Sequence, residues 1–94
     1  MIVSLDARAF PTARVLCKDL GDEAILLDLE TETYFGLNSV GTRFFKLVTT
    51  APTIRDALTL MLAEYDVAPE ELERDMSALI DELVDRGLLR TGNA

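Results

Sequence analysis

The hydrophobic pattern of this chain changes its period once, at Asn38. Before that residue, apolar and polar side chains alternate: Ile25, Leu27 and Leu29 share one face, and Asp28 points to the other. After it, apolar residues recur every three or four positions, which is the spacing of an amphipathic helix. Because 94 residues rarely form two independent cores, the change predicts strands followed by helices within a single domain.

The first part of the chain predicts a meander of three antiparallel strands. Gly21 and Asp22 are turn residues between the first two strands. In the third strand Phe35 and Leu37 share a face, and Gly36 indicates a bulge or a close approach of another backbone. The expected strands span 14–20, 23–30 and 33–37.

All of the chain after Asn38 is expected to be helical, in three helices. Asn38 and Thr53 are suitable N-caps, and Asp56 follows Thr53 in a capping-box arrangement. Pro69 suits the first turn of the third helix, and Gly87 suits a left-handed cap at its end. The apolar stripes expected to pack together are Val40, Phe44, Leu47 and Val48, then Ile54, Leu58, Met61 and Tyr65, and finally Leu72, Met76, Leu79, Ile80 and Leu83.

None of these strands or helices is long enough to be stable alone in water. Their apolar faces therefore have to cover one another. The expected fold is α+β and of winged helix-turn-helix type, with a three-stranded antiparallel sheet followed by a three-helix bundle.

The residue inventory excludes most catalytic sites. The chain has no histidine and one cysteine, so a serine–histidine or cysteine–histidine site, a histidine-ligated metal and an internal disulfide are all ruled out. Cys17 is interpreted as a small apolar residue buried in the first strand. The carboxylates of the third helix lie mostly off its apolar stripe and are interpreted as a solvated face. We therefore expect no enzyme activity, no metal and no cofactor.

The charge of the chain opposes binding to nucleic acid or anionic membranes. Acidic residues number 17 and basic residues 9, giving a net charge of −8. The alternative is a winged-helix DNA-binding transcriptional regulator. Arg43 and Lys46 make the first helix the only net-positive one, and two positive charges are few for binding a DNA duplex. A third interpretation is an acidic adaptor that docks another protein through its third helix. With no signal-peptide pattern and no long apolar run, a cytoplasmic protein without membrane contact is expected.

Peptide binding is the function that these exclusions leave. An edge strand presents unpaired backbone groups to which a peptide strand can be added. The third predicted strand is the candidate, because Gly36 opens access to its backbone and Tyr34 offers an amphipathic ring.

The run from Tyr34 to Phe45 resembles the strand-to-helix signature of the PqqD-like proteins: a tyrosine, then Leu37-Asn38, then a helix with a small residue and an aromatic one. Phe45 stands where many members carry Trp, and 49–52 replaces a common Asp-Gly turn, differences that concern the subfamily. The resemblance covers roughly 14–89 within a single domain spanning 1–94. Its later matching features are Thr53-Ile54, the 64–67 stretch, Pro69-Glu70, Asp75 and the 87–89 stretch.

This resemblance implies a non-catalytic domain, a peptide chaperone that binds the leader segment of a ribosomally made precursor peptide. Such a protein presents the leader to a modifying enzyme or protease, either a radical SAM enzyme or a lasso-peptide protease and cyclase. The 27–29 and 34–38 patterns look most like standalone members of the lasso-peptide group. The leader is expected to pair with the third strand in a groove against the third helix, contacting Thr33, Tyr34, Phe35, Gly36, Leu37, Asp75, Met76 and Leu79.

Overall fold

Two antiparallel sheets and three helices form this chain, whose computed structural model describes residues 4–93. A three-stranded sheet has the order β2-β3-β4, and a two-stranded sheet pairs β1 with β5. The predicted α+β architecture, a three-stranded sheet followed by three helices, is confirmed. The elements are β1 (Ala7–Pro11), β2 (Val15–Asp19), β3 (Ala24–Asp28), β4 (Thr33–Leu37), α1 (Ser39–Val48), α2 (Ile54–Glu64), α3 (Pro69–Asp85) and β5 (Leu89–Asn93).

The β1–β5 sheet is absent from the sequence-based expectation, and the prediction that all of the chain after Asn38 is helical is wrong. β5 pairs with β1 from Pro11 opposite Leu89 onward. A hydrogen bond from the Thr12 N–H to the Leu88 carbonyl, 3.1 Å long, continues this ladder. Both strands are short and pair across nearly the whole chain, so local alternation does not reveal them. The sheet also brings Ala7 and Ala9 into the buried core.

Side-chain caps fix the starts of the first two helices as predicted. The Asn38 Oδ1 accepts a 2.8 Å hydrogen bond from the Gly41 N–H. The Thr53 Oγ1 accepts one of 3.1 Å from the Asp56 N–H, and its hydroxyl also donates to the Asp56 carboxylate at 2.9 Å. The cap at Asn38 turns the chain directly from β4 into α1.

The end of α3 is the predicted left-handed cap. Gly87 has a φ of 75°, a region that favours glycine. The Leu88 N–H donates to the Leu83 carbonyl at 2.9 Å, and the Gly87 N–H donates to the Val84 carbonyl at 3.0 Å. These two bonds form a Schellman motif, and Leu88 folds back into the core as its apolar partner.

The helical stripes supply nine of the 19 buried core residues of the described chain. Within them Val40, Leu47, Tyr65 and Leu79 are half-buried and pack against the cluster. The remaining predicted stripe residues are buried, namely Phe44, Val48, Ile54, Leu58, Met61, Leu72, Met76, Ile80 and Leu83. Within residues 4–93, no helix is both long enough and apolar enough to cross a membrane.

The face assigned to β3 from the sequence is wrong. Leu26, with no exposed surface, and Asp28, 4% exposed, point into the core. Ile25 and Leu27 lie half-buried on the opposite face, and Leu29 lies beyond the strand with 53% exposure. Asp28 can point inward although it is charged, because Arg14 and two backbone N–H groups donate hydrogen bonds to its carboxylate.

Cys17 is exposed, so the prediction that it is buried is also wrong. It pairs with Leu26 and shares the inward face of the sheet. However, β2 is an outer strand that packs mainly against β3, and Val15 alone on that strand is half-buried. An inward position is buried only where a helix covers it.

Candidate functional site

The hydrogen-bond pattern of β3 shows which backbone groups of β4 are free. In an antiparallel ladder, alternate residues bond to one neighbouring strand and then to the other. Flanking β3, the Glu23 carbonyl accepts from the Leu20 N–H at 2.8 Å, and the Leu29 N–H donates to the Arg14 carbonyl at 2.7 Å. Odd-numbered positions of β3 therefore bond toward β2, and even-numbered positions bond toward β4.

The backbone groups of Tyr34 and Gly36 consequently point to the open edge of the sheet. Tyr34 pairs with Leu27, and Gly36 pairs with Ile25. Both partners have odd numbers, so these are the positions of β4 that do not bond to β3. Gly36 lies in regular strand pairing, and a Cβ built on it has no atom within 4 Å. The bulge predicted there is wrong, whereas the close approach of another backbone stays a prediction, since Gly36 borders open space.

A groove of about 420 Å³ follows this open edge, between the end of β4, the start of α1 and one face of α3. We call it the main groove. Gly41 leaves room for the Asn38 cap, because a Cβ there would lie 3.3 Å from the Asn38 Oδ1, whereas 3.6 Å to a Leu79 methyl carbon is an ordinary contact. The residues lining the main groove are Phe35, Gly36, Leu37, Asn38, Val40, Gly41, Asp75, Met76 and Leu79.

Six of the residues proposed from the sequence meet in the main groove. Thr33 and Tyr34 line instead a second cavity, at the start of β4. Sequence reasoning missed Val40 and Gly41, and it assigned Asn38 a capping role alone. The apolar period of α1 indicated that Val40 faces inward, but it could not show that the residue lies at the rim of the core. The six that the structure brings together are Phe35, Gly36, Leu37, Asp75, Met76 and Leu79.

The main groove is apolar apart from two polar side chains at its border. Asp75 is the one charged residue among the described residues that line it. Its carboxylate is 58% exposed and lies 3.9 Å from the Arg74 Nε, so it is solvated. The site therefore offers apolar contact and strand pairing, with no nucleophile held beside a base.

The second cavity, of about 240 Å³, contains two arginines, and we call it the arginine cavity. Phe35 borders both this cavity and the main groove. The Arg86 guanidinium lies over the Phe35 ring, 4.9 Å from its centre, at a cation–π distance. The lining residues are Arg14, Asp28, Thr31, Thr33, Tyr34, Phe35, Arg86 and Leu88.

Asp28 and Arg14 form a bidentate ion pair in this cavity. The Arg14 Nε and Nη2 donate to the two Asp28 oxygens at 3.0 and 2.7 Å. Asp28 also accepts from the N–H groups of Glu30 and Thr31 at 3.0 and 3.4 Å. The Arg14 guanidinium has the largest effect and the N–H groups add to it, so that the pKa of Asp28 is held well below its usual range. The pair joins the start of β2 to the turn before β4.

The basic residues of α1 are occupied by acidic partners. The Arg43 Nη2 lies 2.7 Å from Glu64, and the Lys46 Nζ lies 2.7 Å from Asp19. The bond from Arg43 lowers the pKa of Glu64. Two cations, each beside a carboxylate, give α1 too little positive charge for the several phosphate contacts that DNA binding requires.

These features define a small α+β recognition domain with an open strand edge beside a groove walled by helices. Residues 23–89 match the family described as Coenzyme PQQ synthesis protein D (PqqD). This chain belongs to the PqqD family.

Two solved structures share the fold. One is described as TbiB1 in complex with the TbiA(beta) leader peptide; it is 33% identical, with a TM-score of 0.81, over 90% of this chain and 98% of that one. The other, a lasso peptide synthetase B1 complexed with the leader peptide, is 21% identical with a TM-score of 0.77 over the same shares, a likeness of fold. No curated protein sequence is significantly similar to this chain.

Proposed function

We propose that this chain is a non-catalytic recognition protein that binds the leader segment of a ribosomally made precursor peptide. The observation that carries the proposal is the open edge of β4, where the backbone groups of Tyr34 and Gly36 lie free along an apolar groove. Backbone pairing supplies affinity in this mode of recognition, and pockets for alternate side chains supply specificity.

The geometry of β4 sets how such a peptide binds. A peptide strand pairs through its backbone with Tyr34 and Gly36. Its residues opposite Phe35 and Leu37 then direct their side chains inward, since directly opposed residues in a sheet share a face. These side chains enter the main groove and contact Met76 and Leu79 on its α3 wall.

The similarity to TbiB1, solved with a leader peptide, supports this assignment. We propose that the partners are the precursor leader and a lasso-type protease and cyclase, with a radical SAM enzyme as the other class of partner in the family. The main groove supports binding rather than catalysis, because its one charged lining residue in the described chain is the solvated Asp75. We place the protein in the cytoplasm, where precursor peptides are synthesised.

The test is the selection of random phage-displayed peptides on the immobilised full chain, followed by fluorescence anisotropy with the selected peptides. The Gly36→Pro variant removes a backbone donor that faces the open edge and leaves the β3–β4 ladder intact. Its affinity is expected to fall tenfold or more, which is about 1.4 kcal/mol. Circular dichroism checks that the variant remains folded.

Two variants control this test. Gly36→Ala keeps the N–H and adds a Cβ in open space, so it is expected to bind like the original chain. Cys17→Pro removes a donor from the other outer strand, where the same alternation points the Cys17 N–H away from β3, and it is expected to leave affinity unchanged. Equal losses in Gly36→Pro and Cys17→Pro, or none in either, would contradict pairing at β4.

A further inference from the structure

The arginine cavity lies on the path of any strand added to β4. Three residues of β4 line this cavity, namely Thr33, Tyr34 and Phe35, and Phe35 also lines the main groove. A peptide residue opposite Thr33 points inward at this cavity, two positions from one opposite Phe35 and four from one opposite Leu37. One bound peptide therefore reaches both cavities with side chains of the same face.

Arg86 is available to such a peptide. Its Nε and Nη2 donate to one oxygen of Glu82 at 3.3 and 3.1 Å, within an i,i+4 pair whose two side chains are half exposed. Exposed pairs of this kind are weak and exchange readily with other partners. The ring of Phe35 holds the guanidinium in position at the border of the cavity.

Arg14 adds a second guanidinium to the same cavity. Its Nε and Nη2 are bound to Asp28, while Nη1 lies 3.7 Å from a carboxylate oxygen of Glu30, beyond hydrogen-bond distance. Asp28 is saturated by Arg14 and by two backbone N–H groups, so it competes little for further donors. Two arginines and Asp28 give the described lining a formal charge of 2 − 1 = +1, and Glu30 and Glu82, the further ion-pair partners of these arginines, lie outside the lining.

The sign of this charge is opposite to that of its surroundings. The chain as a whole carries −8, and the charged group among the described lining residues of the main groove is the carboxylate of Asp75. Guanidinium groups in a fixed position favour a planar carboxylate, to which they donate two parallel hydrogen bonds.

We infer that the arginine cavity is a specificity subsite for an aspartate or glutamate side chain of the bound peptide. That acidic residue lies two or four positions from an apolar residue that fills the main groove. Arg86 is the main donor, and Arg14 provides the second positive charge. This subsite rests on the proposed binding of a peptide strand to β4, and it adds a rule for which peptides bind.

The first experiment reads the rule from the peptides selected on the full chain. They are expected to carry Asp or Glu at the stated spacing from an apolar residue. In a selected peptide, replacement of the acid by its amide is expected to weaken binding about tenfold, the loss typical of one charge-assisted contact.

The second experiment is a double-mutant cycle between Arg86→Gln and the acid-to-amide change in the peptide. Arg86→Gln is expected to weaken the acidic peptide about tenfold and to leave the amide peptide unchanged. A purely structural role of Arg86, through its stacking on Phe35, would weaken both peptides equally. Arg74→Gln is the control, because Arg74 is on the same helix and lines neither cavity. Arg86→Glu is expected to recover affinity for a peptide with lysine at the acidic position.

The outcomes separate the subsite from the function on which it rests. Selected peptides that lose affinity in Gly36→Pro but show no acidic preference, or no coupling to Arg86, overturn the subsite and leave strand pairing at β4 standing. Failure to select any peptide, or binding that Gly36→Pro does not affect, overturns both.

Discussion

The three-stranded sheet has two outer strands of equal length, and they differ in their charge and in what lies beside them. β2 carries Lys18 and Asp19 on a strand that is exposed along most of its length. Charged residues on an edge are a common protection against unwanted pairing. β4 has no charged residue and follows a groove whose far wall is α3. An open edge becomes a binding site where helices provide a place for the side chains of an added strand.

The inward positions show the same contrast. On β2 the inward Cys17 is exposed, whereas on β4 the inward Leu37 is 5% exposed and Phe35 is half-buried. The cause is the short connection from β4 into α1 at the Asn38 cap, which places the helices against β4. The direct strand-to-helix junction therefore decides which edge becomes the site.

The largest expected effect is on the stability of the whole fold, which carries both outer strands. Phe44→Ala empties the centre of the core, where this side chain is 1% exposed, and is expected to lower the free energy of unfolding by about 3–5 kcal/mol. Chemical denaturation followed by circular dichroism measures the change. The matched control is Leu60→Ala on the exposed face of α2, with an expected change within about 0.5 kcal/mol. Equal changes for the two variants would show that the core is misassigned.

A second variant removes the ion pair between Arg14, the residue before β2, and Asp28, the last residue of β3. Asp28→Asn removes the anion that joins Arg14, before β2, to the turn before β4, and is expected to lower the denaturation midpoint clearly at neutral pH. Because the folded-state pKa of Asp28 is lowered, its contribution is complete above the ordinary aspartate pKa of about 3.9 and is lost as the pH falls below it.

Thermal denaturation across pH checks this assignment. The difference in midpoint between the original chain and Asp28→Asn is expected to be constant near neutral pH and to shrink below about pH 4. A difference that persists unchanged into strong acid would show that the carboxylate of Asp28 is not the stabilising group.

A pair of leucines compares the groove wall of one edge with the bare surface of the other. Leu79→Ala removes a half-buried contact of the main groove and is expected to weaken peptide binding by about 1–2 kcal/mol, because it removes apolar surface from the interface. Leu16→Ala, on β2 with 51% exposure, is expected to leave the affinity unchanged. Anisotropy titrations measure both affinities. A loss of affinity in Leu16→Ala equal to that in Leu79→Ala would contradict the assignment of the site to β4.

The smallest expected effect is that of salt. Peptide pairing through backbone and apolar contacts is expected to change by less than about threefold in affinity between 50 and 200 mM salt, even with one acidic contact. A DNA-binding protein with six or more phosphate contacts loses about a thousandfold over the same range. Steep salt dependence in anisotropy titrations with duplex DNA, together with tight binding at low salt, would revive the transcriptional regulator.

The sequence predicts much of this architecture, since the relevant signals are local. The period change at Asn38, the caps at Thr53 and Gly87 and the strand at 33–37 all depend on neighbouring residues, and the structure has each of them. The β1–β5 sheet depends on pairing between the two ends of the chain, and no local pattern carries that information.

Faces and edges are harder to predict than elements. Asp28 lies inward because Arg14, which is distant in the chain, neutralises it, and an alternation rule assigns a charged residue to the solvent. The exposure of Cys17 depends likewise on which strand the helices cover. For the candidate site, the family resemblance predicted six of the nine residues that line the main groove, whereas the arginine cavity unites Arg14, Thr33 and Arg86 only after folding.

The central claim is that β4, and not β2, receives the peptide. Backbone amide chemical shifts of the labelled full chain, followed during titration with a selected peptide, test it directly. The account predicts that the shifts concentrate in Thr33–Leu37 and along the face of α3 that carries Asp75 and Leu79, with Tyr34 and Gly36 gaining protection from hydrogen exchange. Shifts concentrated in Val15–Asp19, or around Arg43 and Lys46 on α1, would contradict it.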